Sequence, residues 1–267
     1  MISEATLRRL ADELAAVPGV CAVVLGGSRA RGTHHPDSDV DLGLYVTADV
    51  DRPALSGVAK RWHGSTVEIG DAGSWGPWVD SGAWITIADT AVDLILRDVA
   101  RVAEQCARAT RGEFAFHHQP GHPLGFLDIA YAGEVALSIP LVDDEAVHAR
   151  LAASITPYPE ALSRALVNNL WQVDFHLDGA AKAAGAGDTA YVCLCITNAV
   201  MLLAHSWHAV CGAWAINEKG LLPGVSRLRD APASFSSDAA AILAETGSTP
   251  EELYAAIART RALPRPE

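Results

Sequence analysis

Gly26-Gly27-Ser28-Arg29-Ala30-Arg31-Gly32 and, after a short polar loop, Asp39-Val40-Asp41-Leu42 lie between two apolar runs of strand length, residues 21–25 and 42–46. A strand that ends in Gly-Gly-Ser and turns into a short helix leaves backbone N–H groups and a hydroxyl for phosphate oxygens. The next strand supplies acids. Side chains alternate along a strand, so Asp39 and Asp41 share a face about 6.5 Å apart, while Val40 and Leu42 face the core. Two carboxylates beside a phosphate cradle suit a divalent metal that carries a nucleotide. Two solvent-facing acids on an edge strand is the plainer alternative.

The bulk composition narrows the partners. Half of the 267 residues are hydrophobic and 19% are charged, as expected of a folded chain of one large or two modest domains. Lys and Arg number 20 against 32 acids, a net charge of −12. A polyanionic substrate such as nucleic acid is disfavoured, and a small or cationic partner fits better. The five cysteines, Cys21, Cys106, Cys193, Cys195 and Cys211, form no disulfide framework and read as thiols of a reducing, cytoplasmic compartment. Cys193 and Cys195 diverge by about 200° on a helix, against a zinc site. The chain opens Met-Ile-Ser-Glu, unlike a signal peptide. The most apolar window, 191–204, is shorter than the roughly 20 residues of a membrane span and reads as a bundle-core helix.

Working outward, residues 3–17 predict a helix capped by Ser3 and stopped at Pro18-Gly19. Residues 53–62, entered through Asp51, predict another helix, and 66–70 a short strand. The loop His34-His35-Pro36-Asp37-Ser38 offers two histidines that sit in solvent or bind metal. Residues 71–82 have no period and carry Trp75 and Trp78, which either pack the sheet edge or stack on a ring. Residues 83–88 and 91–97, separated by Asp89-Thr90, read as a hairpin. In its second arm Val92, Leu94 and Leu96 share one face and leave Asp93, Ile95 and Arg97 on the other. An acid bracketed by aliphatics needs a partner. Glu68, between Val67 and Ile69, is its rival in a shorter run.

Gly-Ser, ten residues, then Asp-hydrophobic-Asp-hydrophobic resembles the signature of the DNA polymerase β-like nucleotidyltransferase superfamily. The resemblance covers residues 20–46 and 83–98. It implies a third carboxylate from a neighbouring strand, the position that Asp93 offers, and an α+β fold: a mixed sheet with flanking helices, followed by an all-α bundle. The expected division is a nucleotidyltransferase domain over 1–112, a linker lining the cleft over 113–126, with His117, His118 and His122, and a helical domain over 127–267. Helices are expected at 98–111, 127–137, 143–155, 160–184, 189–211, 237–245 and 250–263.

The architecture resembles the small-molecule branch of the superfamily, which includes aminoglycoside and lincosamide nucleotidyltransferases. That resemblance implies transfer of a nucleoside monophosphate from a nucleoside triphosphate to a small hydroxylated acceptor. Asp39, Asp41 and Asp93 would hold two Mg²⁺ ions, and Gly27, Ser28 and Arg31 would meet the triphosphate. Lys219, in Asn217-Glu218-Lys219-Gly220, either joins them or is a surface lysine. Glu134 is a candidate acceptor of the attacking hydroxyl's proton, against a reading as a solvated helix acid. Asn168, Asn169 and His176 read equally as core polar groups or as substrate contacts. Two other outcomes stay open: modification of a protein or a tRNA end, and a non-catalytic, antitoxin-like module of the same fold.

Overall fold

The computed structural model describes residues 2–35 and 37–267, so Met1 and Pro36 of the histidine loop lie outside the described residues. Two compact units divide the chain: Met1–Arg108 with His117–Gly121 and Asp128–Thr156, and Ala109–Phe116 with His122–Leu127 and Pro157–Glu267.

The first unit is built on a mixed five-stranded sheet. Helix α1 (Glu4–Ala15) starts where Ser3 accepts from the Thr6 amide, an N-cap that satisfies an orphan donor of the first turn. Strand β1 (Val20–Leu25) runs into the four-residue helix α2 (Gly27–Ala30), and β2 (Val40–Val46) returns antiparallel beside it. Helix α3 (Arg52–His63) begins at the Asp51 cap and stops at Gly64, which is left-handed. Strands β3 (Ser81–Ile87) and β4 (Thr90–Asp98) form the hairpin. Ala88 and Asp89 both have positive φ, the signature of the two-residue type I′ turn that matches strand twist. The turn therefore sits one residue earlier than Asp89-Thr90.

Strand β4 pairs with β2 in parallel, and a later strand, β7 (Ile139–Val142), flanks β1, giving the order β3-β4-β2-β1-β7. One face of the sheet is the core: Val40, Leu42, Leu44, Val92, Leu94 and Leu96 are all fully buried there with Leu10, Leu14 and Leu55.

Residues 66–70 are irregular rather than a strand. The Ile69 amide donates to Ser56 Oγ, and Arg52 holds the Gly70 carbonyl. Side chains of α3 thus take two groups of this backbone, and the Gly70 amide donates to the Gly82 carbonyl of β3. Helix α4 (Val99–Arg111) follows as expected. Two-residue strands β5 (Phe116–His117) and β6 (Phe126–Leu127) interrupt the segment read as a linker. Helix α5 (Ala130–Leu137) is shorter than expected, and α6 (Val147–Ser154) occupies only part of 143–155. Between them β7 (Ile139–Val142), which the helical reading overlooked, pairs with β1. Residues 128–156, expected with the helical region, thus belong to the unit that contains the sheet.

The second unit is helical: α7 (Glu160–Asn168), α8 (Trp171–Ala184), α9 (Thr189–Val210), α10 (Leu221–Val225), α11 (Phe235–Ala244) and α12 (Pro250–Arg261). The helix expected over 160–184 is broken at Asn169-Leu170. There the Leu170 amide turns to Val167, and the buried Ser206 hydroxyl of α9 donates to the Leu166 carbonyl that the break frees. Asn168 is exposed, and Asn169 and His176 are half-buried. Helix α12 opens on a capping box between Thr249 and Glu252.

At 22 residues α9 is longer than the apolar window, and among the described residues it is the one helix long and apolar enough to cross a membrane. More than half of that window is buried in the fold, with Val192, Ile196, Ala199, Val200 and Leu203 in the core of the unit. All five cysteines are free thiols.

Candidate active site

The acids of the opening motif meet the hairpin through strand register. Asp41 on β2 is directly opposite Asp93 on parallel β4, and both turn away from the apolar core face. Asp39 precedes β2. Asp39, Asp41 and Asp93 each offer a carboxylate oxygen, and these atoms lie within 4.8 Å of one another. Glu68 is exposed in the irregular segment and lies outside this cluster. Neither His34 nor His35, both exposed, belongs to it.

Three carboxylates brought this close oppose one another's charge. Burial, then Asp41, then Asp39, push the Asp93 carboxyl up from 3.8 to about 6. Hard oxygen donors spaced in this way suit a cation such as Mg²⁺, whose metal–oxygen distances are about 2.1 Å. The donor set therefore fits the divalent metal of a nucleotidyltransferase domain.

Asp93 is held more readily as the acid in the folded state than in the unfolded chain. Its contribution to stability is present below pH 3.8 and is lost as pH rises through about 6. In chelator, Asp93→Asn is expected to raise the melting temperature at pH 7.5, with the gain shrinking to nothing near pH 3.5. Calorimetry across that range checks it, and a gain that persists at pH 3.5 would contradict the charge argument.

The Gly-Ser turn is fitted to Asp41. The Gly26 amide donates to the Asp41 carbonyl at 2.8 Å. Gly27 has φ +61°, and a Cβ built on it would stand 1.6 Å from Asp41 Oδ2. The carboxylate thus occupies the space that any other residue would fill. The half-buried Ser28 lies beside it in α2, and Arg31 is exposed. Arg29, which the sequence reading passed over in favour of Arg31, clamps the acidic loop: Nε donates to the Asp39 carbonyl at 2.9 Å and Nη2 to that of Ser38 at 2.6 Å. The only sequence sign of this was a basic residue one position after Ser28, which does not tell a clamp from a surface charge.

The remaining candidates lie on other elements or loops of the chain. Both oxygens of Glu134 on α5 accept from Arg97, at 2.7 and 2.8 Å. Arg97 is four residues along β4 from Asp93, about 13 Å at the usual rise. Only 5% exposed, it also donates to the Val79 carbonyl. Burial works against its charge, and Glu134 with Tyr131 and Tyr45 outweighs that, holding the guanidinium above its ordinary value. Removing the Glu134 carboxylate strands a buried cation, so Glu134→Ala is expected to destabilise the protein by about 3 kcal/mol in urea denaturation. A change under about 0.5 kcal/mol, typical of a surface site, would refute the pairing argument.

Lys219 is exposed in the second unit. Its neighbour Glu218 accepts there from the Leu124 amide and pairs with His122. In the first unit His117 stacks on Trp78 and meets the buried Asp128 at 3.2 Å, and His118 is exposed. Trp78 also lies under the Arg101 guanidinium, a packed position, and Trp75 stacks on Trp84.

Fold and acidic cluster together describe an α+β domain of the nucleotidyltransferase type, followed by a helical region. Residues 7–90 match the family described as a nucleotidyltransferase domain, which supports the polymerase β-like resemblance for this part of the chain. Among solved structures, the chain is similar to a nucleotidyltransferase-like protein from Exiguobacterium sibiricum 255-15, with 13% identity, a TM-score of 0.46, and coverage of 96% of this chain and 72% of that one. No curated protein matches the sequence.

Proposed function

We propose that the protein transfers a nucleoside monophosphate from a nucleoside triphosphate to a hydroxyl of a small acceptor, in the manner of enzymes that modify aminoglycoside- or lincosamide-like antibiotics. The observation that carries this is the convergence of Asp39, Asp41 and Asp93 beside a Gly-Ser turn; the turn, Asp39 and Asp41 lie inside the segment 7–90 that matches nucleotidyltransferase domains.

In this reading the three aspartates hold two Mg²⁺ ions, which when bound offset phosphate charge and favour ionisation of the acceptor hydroxyl. Ser28 and the amides around Gly27 meet the phosphates, with Arg31 as a charge partner, and Lys219 is a further candidate for that role. Arg29 fixes the backbone that carries Asp39. The acceptor hydroxyl releases its proton to solvent, and its oxygen bonds to the α-phosphorus as the bond to the bridging oxygen breaks and pyrophosphate leaves. Orientation and charge do most of the work, with no covalent intermediate on the protein. The excess of acids, 32 against 20 bases, favours a cationic acceptor over a nucleic acid.

The test incubates the protein with Mg²⁺ and each of four α-labelled nucleoside triphosphates against a panel of aminoglycosides, lincosamides and tRNA. Label on a small acceptor with equal release of pyrophosphate is the expected result. Label on tRNA alone would replace the acceptor class, and no metal-dependent nucleotide binding would remove the transferase reading.

A further inference from the structure

Trp84 occupies a place that the nucleotide chemistry leaves unassigned. In the antiparallel pair β3–β4 it is directly opposite Asp93, and Asp93 is opposite Asp41. A row on one face of the sheet therefore runs Trp84, Asp93, Asp41, with neighbouring strands about 4.8 Å apart. The Gly-Ser turn closes the row at the end of β1, on the far side of β2.

The indole is 65% exposed although it sits in the middle of a strand. Its exposure is prepared by its surroundings. Trp75 stacks on it with ring centroids 4.2 Å apart and planes inclined by 14°. That ring fits because position 82 is glycine: a Cβ there would come within 2.8 Å of Trp75 Cη2. The Trp75 backbone is fixed at both polar groups, its amide donating to Asp80 and its carbonyl accepting from Gln119, which is 3% exposed. Gly82 is level with Ile95 and Gly43, so Trp75 backs the indole from the side away from Asp39. The other face of Trp84 is turned to the end of the sheet that carries Asp39 and the turn.

We propose that Trp84, backed by Trp75, is the platform for the acceptor, and that it takes a hydroxylated ring bearing amino groups. This rests on the transferase reading, in which attacking and leaving oxygens are in line through phosphorus. With the pyrophosphate at the Gly-Ser turn, the attacking hydroxyl approaches from the opposite side of the aspartates, and that side is β3. An indole face attracts ammonium groups and packs against the C–H face of a saturated ring. The adjacent carboxylates favour the same cationic ligand.

The test titrates wild type, Trp84→Ala and Trp84→Phe with kanamycin, a polyhydroxylated amino-sugar probe, and separately with the Mg²⁺ complexes of ATP, GTP, CTP and UTP. Melting temperatures establish that the variants are folded. Kanamycin should bind the wild type, bind Trp84→Ala about tenfold more weakly and bind Trp84→Phe within about threefold, while nucleotide affinity stays within about twofold in both variants. The platform is overturned if kanamycin fails to bind the wild type or binds Trp84→Ala as well. It is overturned equally if nucleotide affinity falls in step, since the indole would then stack the base. Absence of binding by all four nucleotides to the wild type is a different failure: it removes the transferase reading, and the kanamycin arm still decides whether Trp84 holds a cationic ring.

Discussion

Asp41→Asn is expected to lower nucleotidyl transfer by on the order of 10³-fold or more without unfolding the protein. The carboxylate is central in the row: Asp93 lies opposite it in register, and its oxygen is one of the three within 4.8 Å. An amide has the same shape but supplies a neutral, weaker ligand where a divalent ion needs charge. Since Asn also relieves repulsion among the acids, the melting temperature in chelator should not fall. Single-turnover rates with labelled nucleotide, beside a melt in chelator and in Mg²⁺, give both readouts. A variant within about tenfold of wild type, far short of the usual cost of losing a charge-stabilising group, would remove Asp41 from the site. One that is slow because it is unfolded would show in the melt.

Gly27→Ala is expected to be nearly as damaging, through the same carboxylate. Alanine at φ +61° costs about 1–2 kcal/mol of backbone strain, which a folded domain survives. Its Cβ would also fall 1.6 Å from Asp41 Oδ2 and 2.5 Å from Cγ, so the acid must leave its place. Gly26 is the internal control, because a Cβ there meets Asp41 only at 3.7 Å, an ordinary contact. A loss of about 10²-fold or more in Gly27→Ala, the scale of one misplaced catalytic group, with a much smaller loss in Gly26→Ala, is the expected pattern. Equal effects would show that the turn does not set the position of Asp41. Weakened Mg²⁺ protection in thermal melts of Gly27→Ala separates displacement of the ligand from a defect in nucleotide contact.

The aspartates and the platform differ in how far a sequence can reveal them. Asp39 and Asp41 are legible because strand alternation fixes their common face within four residues, and Asp93 because a charge inside an apolar run demands a partner. Glu134 illustrates the opposite case. A lone helical acid near small residues has the same appearance whether it takes a proton or neutralises a guanidinium, and only the fold brings Arg97 to both its oxygens. Trp84 lies in the run 83–88, which reads simply as one arm of a hairpin. Period-2 alternation does place it opposite in sense to Ala83 and Ile85, but not beside an acid.

Local periodicity and turn chemistry were enough to define β1, β2, the hairpin, α1, α3 and α4, since each depends on contacts between residues close in the chain: the Ser3 and Asp51 caps, Gly64, and the alternating aliphatics of β2 and β4. Tertiary pairing alone decided that β4 lies parallel to β2 with Asp93 level with Asp41, that β7 completes the edge beside β1, and that 66–70 forms no strand. Strand partners are chosen by which buried faces and backbone groups can be satisfied together across the whole sheet, and that choice joins segments far apart in the chain whose own periodicity is the same whichever neighbour they take.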